Sequence, residues 1–200
     1  MTSTPTTLVP MLPREQWTGA ARDVFAYWEG PEAREKGSRS NTMMTMAQHP
    51  RLAIAVLDLG KYMLVGSTLS KRQKEMVVLR IAWRNAVEYE WAHHVHSARQ
   101  IGMTDDEFSA LRSTDPSPVW TREEQSLLDA IDQLCGTGRI QSQTWNILAE
   151  TMDRQALMDL VYSIGFFTMN IWAVGAMGVP LEPDFAEFSK PADQMVADLK

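Results

Sequence analysis

Apolar residues recur at steps of three and four along most of this 200-residue chain, which is the period of an amphipathic helix. The first such run extends from Arg14 to Glu29 and ends near Gly30. A second begins at Pro50, a residue suited to the first helical position, and continues to Gly66. No stretch alternates apolar and polar residues over the length of a strand, and no Asn-Gly hairpin turn occurs. The pattern therefore predicts an all-α protein.

Start and stop signals divide the rest of the chain into further helices. Ser70, Thr104 and Thr121 are each followed three residues later by Gln or Glu, as in a capping box. Asp153 can cap a long final helix that ends near Gly178. The longer predicted segments are residues 71–85, 87–101, 121–136, 142–152 and 154–177. We expect about eight helices packed as one bundle.

The two ends of the chain lack the helical period. Residues 1–13 contain three prolines and several threonines, which favours an extended arm that in an oligomer could lie across a neighbouring subunit. After the proline-rich stop that follows Gly178, the sequence becomes polar. We therefore predict an N-terminal arm at 1–13, a single helical domain at 14–183 and a polar C-terminal tail at 184–200.

Composition narrows the class of protein. The formal net charge of −6 argues against a general binder of nucleic acid or anionic membrane, because such binders need a cationic surface. The first residues do not have the pattern of a secretory signal, and the single cysteine, Cys135, suits a reducing compartment. The most apolar segment, Leu157–Val179, carries Asp159 and Asn170 and is interpreted as a core helix. We expect a cytoplasmic protein that binds neither membrane nor nucleic acid.

Candidate chemistry is concentrated between Ser70 and Gly102, a segment that holds three of the four histidines. Glu90 and His94 lie one helical turn apart, on or beside the apolar side of their helix. Such a pair can perform acid–base chemistry or can be a structural ion pair. Glu75 on the preceding helix could reach the same cavity, or could only stabilise the first turn of its own helix.

The remaining histidines have simpler interpretations. His93 and His96 fall on another face, which favours solvent or a subunit contact, and His49 could cap a helix or line a pocket. Glu90-x-x-His93 resembles half of a di-iron motif, but no second copy occurs in the sequence. A zinc site that uses His93 or His94 with a distant ligand stays open. We expect neither a bound metal nor another cofactor.

Three consecutive motifs carry a resemblance to a known family. They are Leu69-Ser-x-x-Gln-x-Glu75-x-x-x-Leu79-Arg80, Glu88-Tyr-Glu-Trp91-Ala-His-His94 and Ala98-x-x-x-Gly102-Met-Thr-Asp-Asp-Glu107. The chain resembles the carboxymuconolactone decarboxylase family, which is related to alkylhydroperoxidase D, and the similarity extends over about residues 40–183. The resemblance implies an alkylhydroperoxidase D-like helical bundle that assembles as a trimer, hexamer or dimer.

The resemblance also separates two branches of chemistry. In the peroxidase branch a Cys-x-x-Cys pair precedes the histidine, and those two positions correspond to Val87 and Glu90 here. Without a thiolate and a resolving thiol, the peroxide-reducing disulfide cycle cannot run. The sequence therefore predicts a member of the cysteine-less branch that is not a thiol peroxidase.

The family assignment implies a cofactor-free lyase that decarboxylates a small carboxylated lactone from aromatic-ring breakdown. In this hypothesis His94 transfers the proton, Glu90 orients it through a ring N–H, and Glu75 is the second acid or base. A further set of residues is predicted to bind the anionic substrate: Arg80 (or Arg84) as carboxylate anchor, with Trp83, Tyr89, Trp91 and His93 around it. Isomerase or hydrolase activity, a non-catalytic ligand-binding oligomer and a metal-dependent oxygenase are the alternatives.

Overall fold

Helices make up the regular structure of the chain, whose computed structural model describes residues 7–190 and 192–198. No strand occurs in those residues, so the predicted all-α class is confirmed. The α-helices are α1 Gly19–Glu29, α2 Ala33–Lys36, α3 Asn41–Met46, α4 Pro50–Lys61, α5 Lys71–Arg84, α6 Glu88–Gln100, α7 Asp105–Leu111, α8 Arg122–Thr137, α9 Ser142–Leu148, α10 Arg154–Met177 and α11 Ala192–Asp198. Short 3₁₀-helices lie at Arg14–Gln16 and Pro183–Phe188, and a π-helix at Tyr62–Gly66 continues α4.

Local capping sets most of these boundaries. The three predicted capping boxes, at Ser70, Thr104 and Thr121, are all present. Asp153 accepts a hydrogen bond from the backbone N–H of Ala156 and begins α10 as predicted. These signals act within one turn of chain, and sequence alone is enough to find them.

Two predicted boundaries differ from the structure. The first helix was expected from Arg14, but only a 3₁₀ turn forms there. Helix α1 begins after Thr18, whose side chain caps it by accepting a hydrogen bond from the backbone N–H of Ala21. The polar loop predicted after Gly30 contains the short helix α2. Local hydrogen bonds separate the 3₁₀ turn from α1 and form the single turn of α2. The spacing of apolar residues does not depend on these bonds and so does not predict them.

Helix α5 lies at the centre of the bundle, where it packs against α6, α8 and α10. Every residue from Met76 to Trp83 is buried. A helix that is covered on all sides needs apolar residues around its whole circumference. This explains the apolar residues Met76-Val-Val-Leu79 and Ile81-Ala-Trp83, which are interrupted only by Arg80. The same central position fixes where Glu75, one residue earlier, can reach.

Helix α10 is long and apolar enough to cross a membrane by length and composition, with a mean hydropathy of 1.5 in its most apolar window. One side of it is buried against the bundle, through Leu160, Ile164, Phe167 and Ile171. The structure thus places α10 as a core helix, in agreement with the interpretation of its sequence.

The described residues near both chain ends pack onto the bundle, whereas residues 1–6 of the predicted arm and residues 191, 199 and 200 of the predicted tail lie outside the described residues. Leu8 and Val9 donate backbone hydrogen bonds to the Met177 carbonyl, and Leu12 is buried. The boundary predicted between residues 183 and 184 cuts through the 3₁₀-helix that packs on α6, and Met195 in α11 is fully buried. Because these apolar residues are scattered among acidic ones, the segment resembles a solvated tail in sequence.

Candidate active site

A tight reversal between α5 and α6 brings the candidate residues together. Helix α5 ends at Arg84, Asn85 follows as its C-terminal cap, and Ala86 takes a left-handed conformation with φ 51°. That conformation costs a non-glycine residue about 1 kcal/mol. Trp172 of α10 donates a hydrogen bond of 2.7 Å to the side-chain oxygen of Asn85 and ties the reversal to the bundle. Helices α5 and α6 therefore lie against each other, with Glu75 and His94 at facing positions.

A cavity of about 210 Å³ lies beside α6. Its walls are mostly apolar and come from α3, α4 and α10, including Met43, Leu57, Phe166 and Phe167. Its polar groups are concentrated on one side, where the structure places Ser40, Thr42, Tyr89, Glu90, His93, His94 and Asn170. No arginine or lysine of residues 7–190 and 192–198 lines it. An apolar pocket with a few convergent polar groups is the usual form of a small-molecule site.

His94 is held by Glu75, with 2.7 Å between Nδ1 of the imidazole and Oε2 of the carboxylate. A carboxylate can only accept, so the Nδ1–H donates and Nε2 is left as the atom that gains or loses a proton. Burial opposes a charge on this ring, but the hydrogen bond and charge of Glu75, aided by Glu90, outweigh it and raise the pKa of His94. The ring therefore keeps its proton to a higher pH than an exposed histidine does.

Glu90 faces the cavity beside His94. Its Oε2 lies 3.6 Å from Nε2 of His94, and its Oε1 accepts a hydrogen bond of 3.1 Å from the side-chain amide of Asn170. Burial raises the pKa of Glu90; the nearby His94 and His93 partly oppose this, and Glu182 adds to it. The carboxyl group is thus displaced toward its neutral, proton-donating form.

The structure brings Glu75, Glu90 and His94 together as predicted but exchanges the positions of the two carboxylates. Glu75, expected as the second acid or base, makes the ring hydrogen bond that orients His94. Glu90, expected to orient the ring, lies beyond hydrogen-bond distance and lines the cavity instead. Nδ1 of His94 faces Glu75 on α5, whereas Nε2 faces Glu90, which lines the cavity.

A second histidine–carboxylate pair lies next to the first, and sequence analysis missed its acid. Nε2 of His93 is 2.7 Å from Oε2 of Glu182, which follows α10. Oε1 of Glu182 accepts from the Tyr89 hydroxyl at 2.9 Å and from the backbone N–H of Asn41 at 2.6 Å. Burial opposes ionisation, but the bonds from His93, Asn41 and Tyr89 prevail and lower the pKa of Glu182. The only sequence signal for Glu182 was its position just after the last long helix, within the residues 40–183 that resemble the family.

Tyr89 and His93 line the cavity as predicted for substrate-binding residues, but Arg80 does not. The Arg80 guanidinium forms a two-bond ion pair with Asp132, at 2.9 and 2.5 Å, and its remaining arm donates to the carbonyls of Leu111 and Ser113. Arg84, the alternative anchor, contacts Asp132 as well. The prediction of a carboxylate anchor at Arg80 is wrong, because α8 supplies a carboxylate that takes up its donors.

Trp83 and Trp91 pack in the core instead of lining the cavity. Their ring centroids are 4.9 Å apart and both side chains are buried. The guanidinium of Arg112 lies over both rings. The apolar wall predicted from these tryptophans is formed by methionine, leucine and phenylalanine side chains of other helices, together with Trp28.

The other candidate groups have structural partners. His49 accepts a hydrogen bond from the backbone N–H of Leu52 and caps α4, although it also borders a separate apolar hollow. His96 is hydrogen-bonded to Gln100. Within the described part of the chain, no three His, Cys, Asp or Glu side chains are grouped as a metal site requires. The expectation that no metal or cofactor is bound stays a prediction.

The all-helical fold, with its paired helices around His94, matches alkylhydroperoxidase D-like helical folds. Residues 50–133 match the sequence model of the carboxymuconolactone decarboxylase family, the family that the motifs predicted. No protein with a curated function matches the sequence significantly.

Solved structures agree on the fold. A peroxidase-related protein from Silicibacter sp. TM1040 is 19% identical, with a TM-score of 0.71 over 92% of this chain and 95% of that one. A peroxidase-related protein from Ralstonia eutropha JMP134 is 17% identical, with a TM-score of 0.71 over 92% and 96%. A cysteine-to-alanine variant of the debrominase Bmp8, in complex with 2,3,4-tribromopyrrole, is 18% identical, with a TM-score of 0.71 over 96% and 100%. At these identities the likeness shows the fold alone.

Proposed function

We propose that this protein is an acid–base enzyme of the carboxymuconolactone decarboxylase type, acting on a small organic substrate without a cofactor. The observation that carries the proposal is the Glu75–His94 pair, whose free Nε2 lies beside Glu90 in an apolar cavity. A buried imidazole with a fixed tautomer and an adjacent neutral-leaning carboxyl are suited to moving a proton at about pH 7.

Decarboxylation is the specific reaction that we propose. The bond between the substrate carbon and its carboxylate breaks, carbon dioxide leaves, and the electron pair stays on the substrate as an enolate. The His94 imidazolium then delivers its Nε2 proton to that carbon, while Glu75 keeps the ring oriented and compensates its charge. Water returns the proton to His94, so the protein is unchanged after one turnover.

The cavity supports a small and mostly apolar substrate. Its volume and its Met, Leu and Phe lining favour an unsaturated ring, and His94 can offset a single carboxylate. The complex of the debrominase Bmp8 with a tribrominated pyrrole is a case in which this fold binds a small ring compound. We therefore propose a monoanionic lactone acid as substrate.

Thiol peroxidase chemistry is not part of the proposal. Glu90 occupies the second position of the cysteine pair and Val87 the first. The one cysteine, Cys135, lies on α8 with its sulfur 3.6 Å from the Thr168 hydroxyl, and it is not among the residues that line the cavity. Glu90 supplies an acid where that chemistry needs a redox-active sulfur.

An isomerase that shifts a proton without releasing carbon dioxide is the second candidate. The observation that favours it is the pairing of Arg80 and Arg84 with Asp132, which leaves no guanidinium to hold a substrate carboxylate in the cavity. An uncharged unsaturated lactone or ketone would then be the better ligand. Hydrolysis of such a lactone would require that His94 activate water instead of a carbon acid.

Incubation of the purified protein with a γ-carboxylated unsaturated lactone separates these reactions. We expect carbon dioxide release by wild type, a loss of about 10²-fold or more in His94→Ala, and no change in His96→Ala, whose imidazole lies outside the proposed site. Solvent deuterium incorporation without carbon dioxide would identify the isomerase. Binding without either reaction would overturn the enzyme proposal and favour a ligand-binding oligomer.

We also propose that the protein acts in the cytoplasm as a homo-oligomer. Exposed apolar side chains lie on α4, on the π-helix that continues it and on α10, among them Leu52, Val65, Tyr162 and Trp172. A second copy could bury such a surface in a symmetric interface. Light scattering after size exclusion tests this, with Tyr162→Glu expected to reduce the oligomer mass.

A further inference from the structure

The pair formed by His93 and Glu182 has no role in the reaction described above. It resembles the Glu75–His94 pair closely, since each imidazole nitrogen lies 2.7 Å from a carboxylate oxygen that comes from another segment of the chain. Both histidines line the same cavity, and so does Glu90, three residues before His93. Two oriented imidazoles in one small cavity are more than a single proton transfer requires.

The surroundings of Glu182 fix the tautomer of His93. Three donors point at this carboxylate, from His93, Tyr89 and the backbone of Asn41, and they keep it ionised. An ionised carboxylate accepts only, so His93 must carry hydrogen on Nε2. Its Nδ1 makes no hydrogen bond to the described residues and is therefore the exchangeable position. His94 has the opposite arrangement, with hydrogen on Nδ1 and exchange at Nε2.

His93 also stands between the cavity and the outside of the molecule. His93 also lines an outer hollow of about 430 Å³, together with Arg39, His96, Glu182 and Asp184 among others. Trp28, Ser40 and His93 border both spaces. Phe185 stacks on the His93 ring at 3.8 Å between centroids and holds its plane. The imidazole therefore borders both the cavity and the outer hollow.

We infer that Glu182 is a positioning residue that holds His93 as a second acid–base group of the active site, acting at Nδ1. The inference rests on the proposed function and assigns it a two-group mechanism. As carbon dioxide leaves, the Nδ1–H of protonated His93 donates to the substrate oxygen that gains the negative charge. His94 protonates the carbon, His93 keeps its proton as the carbonyl re-forms, and water restores the proton on His94.

The substitution Glu182→Gln tests the tautomer directly. The amide oxygen of glutamine can take the place of Oε1 and keep the bonds from Tyr89 and Asn41, so the fold should be retained. Its NH₂ then takes the place of Oε2 and donates to Nε2 of His93, which moves the ring hydrogen to Nδ1. Nitrogen-15 NMR of the imidazoles should show Nε2–H for wild-type His93 and Nδ1–H in the variant, with His94 unchanged.

Turnover of the same γ-carboxylated lactone supplies the second measurement. We expect Glu182→Gln to lower kcat about 10²-fold with little effect on KM, because an amide that donates to Nε2 keeps His93 neutral, so its Nδ1–H no longer carries the positive charge that stabilises the enolate oxygen. Gln100→Glu, which changes a surface partner of His96, is the control and should act as wild type. Full activity in Glu182→Gln beside an inactive His94→Ala would overturn this inference and leave the proposed function intact.

If wild type does not turn over the lactone, the proposed function fails and the NMR measurement still decides the arrangement of His93. Nδ1–H on wild-type His93, or an unchanged tautomer in a folded Glu182→Gln protein, would overturn the inference on its own. Nε2–H that moves to Nδ1 in the variant would support Glu182 as the group that orients His93.

Discussion

Glu75 and His94 lie on different helices, and Oε2 of the carboxylate is 2.7 Å from Nδ1 of the imidazole. The two side chains are 15% and 16% exposed, so little water competes for this hydrogen bond. The contact fixes the tautomer of His94 and leaves Nε2 for the cavity. Much of the chemistry expected of this protein depends on this one distance.

Glu75→Gln is expected to lower turnover about 10²-fold, because an amide neither fixes the Nδ1–H tautomer nor compensates the imidazolium charge. The measurement is kcat on the γ-carboxylated lactone, with circular dichroism to confirm folding. Glu15→Gln removes an exposed acid near the N-terminus and should have no effect. Equal activity of the two variants would show that Glu75 has no role in orienting the base.

Stability is expected to fall as the pH rises above about 6.5, the usual pKa of histidine. The pKa of His94 is raised in the folded protein, so its protonation stabilises the fold fully below that pH. The stabilisation is lost as the pH rises through the folded pKa. Urea denaturation between pH 6 and about 9 measures this slope. In His94→Gln the slope should be smaller; an identical slope would contradict the raised pKa.

Glu90→Gln is expected to stabilise the protein while lowering its activity. Burial raises the pKa of Glu90, so its ionisation costs stability above about pH 4.3, the usual value for glutamate. Glutamine removes that cost and keeps an acceptor for Asn170. Thermal unfolding at pH 8 should show a higher Tm for the variant, and the difference should shrink toward pH 4. A lower Tm at pH 8 would indicate that the ionised pair with His94 stabilises the fold.

Arg80→Met is expected to destabilise the fold, by about 3 kcal/mol, because it leaves Asp132 and the carbonyls of Leu111 and Ser113 without their donor. Chemical denaturation measures the change. Arg122→Met is the matched control, since it breaks an exposed ion pair with Glu150 and should leave Tm nearly unchanged. A raised KM with unchanged stability in Arg80→Met would show instead that Arg80 binds the substrate carboxylate.

Short-range features of the fold could be predicted from the sequence. The capping boxes at Ser70, Thr104 and Thr121 and the bounds of α5 and α10 depend on residues within one or two turns. The 3₁₀ turn before α1 was missed because such a turn leaves the hydrophobic period unchanged. The C-terminal segment was taken for a tail because Phe185 and Met195 acquire partners only when it folds back onto the bundle.

The sequence by itself determined the helical class, because the period of apolar residues is a property of adjacent turns, and its motifs resemble a family in which Glu75, Glu90 and His94 would form one site. Tertiary structure decided what each side chain does there. The packing of α6 on α5 places Nδ1 of His94 against Glu75, and an ion pair with Asp132 holds Arg80 in the core. The fold also brought Glu182 to His93 across 89 positions of chain. Hydrogen bonds select partners by distance in space, and packing between distant segments sets that distance.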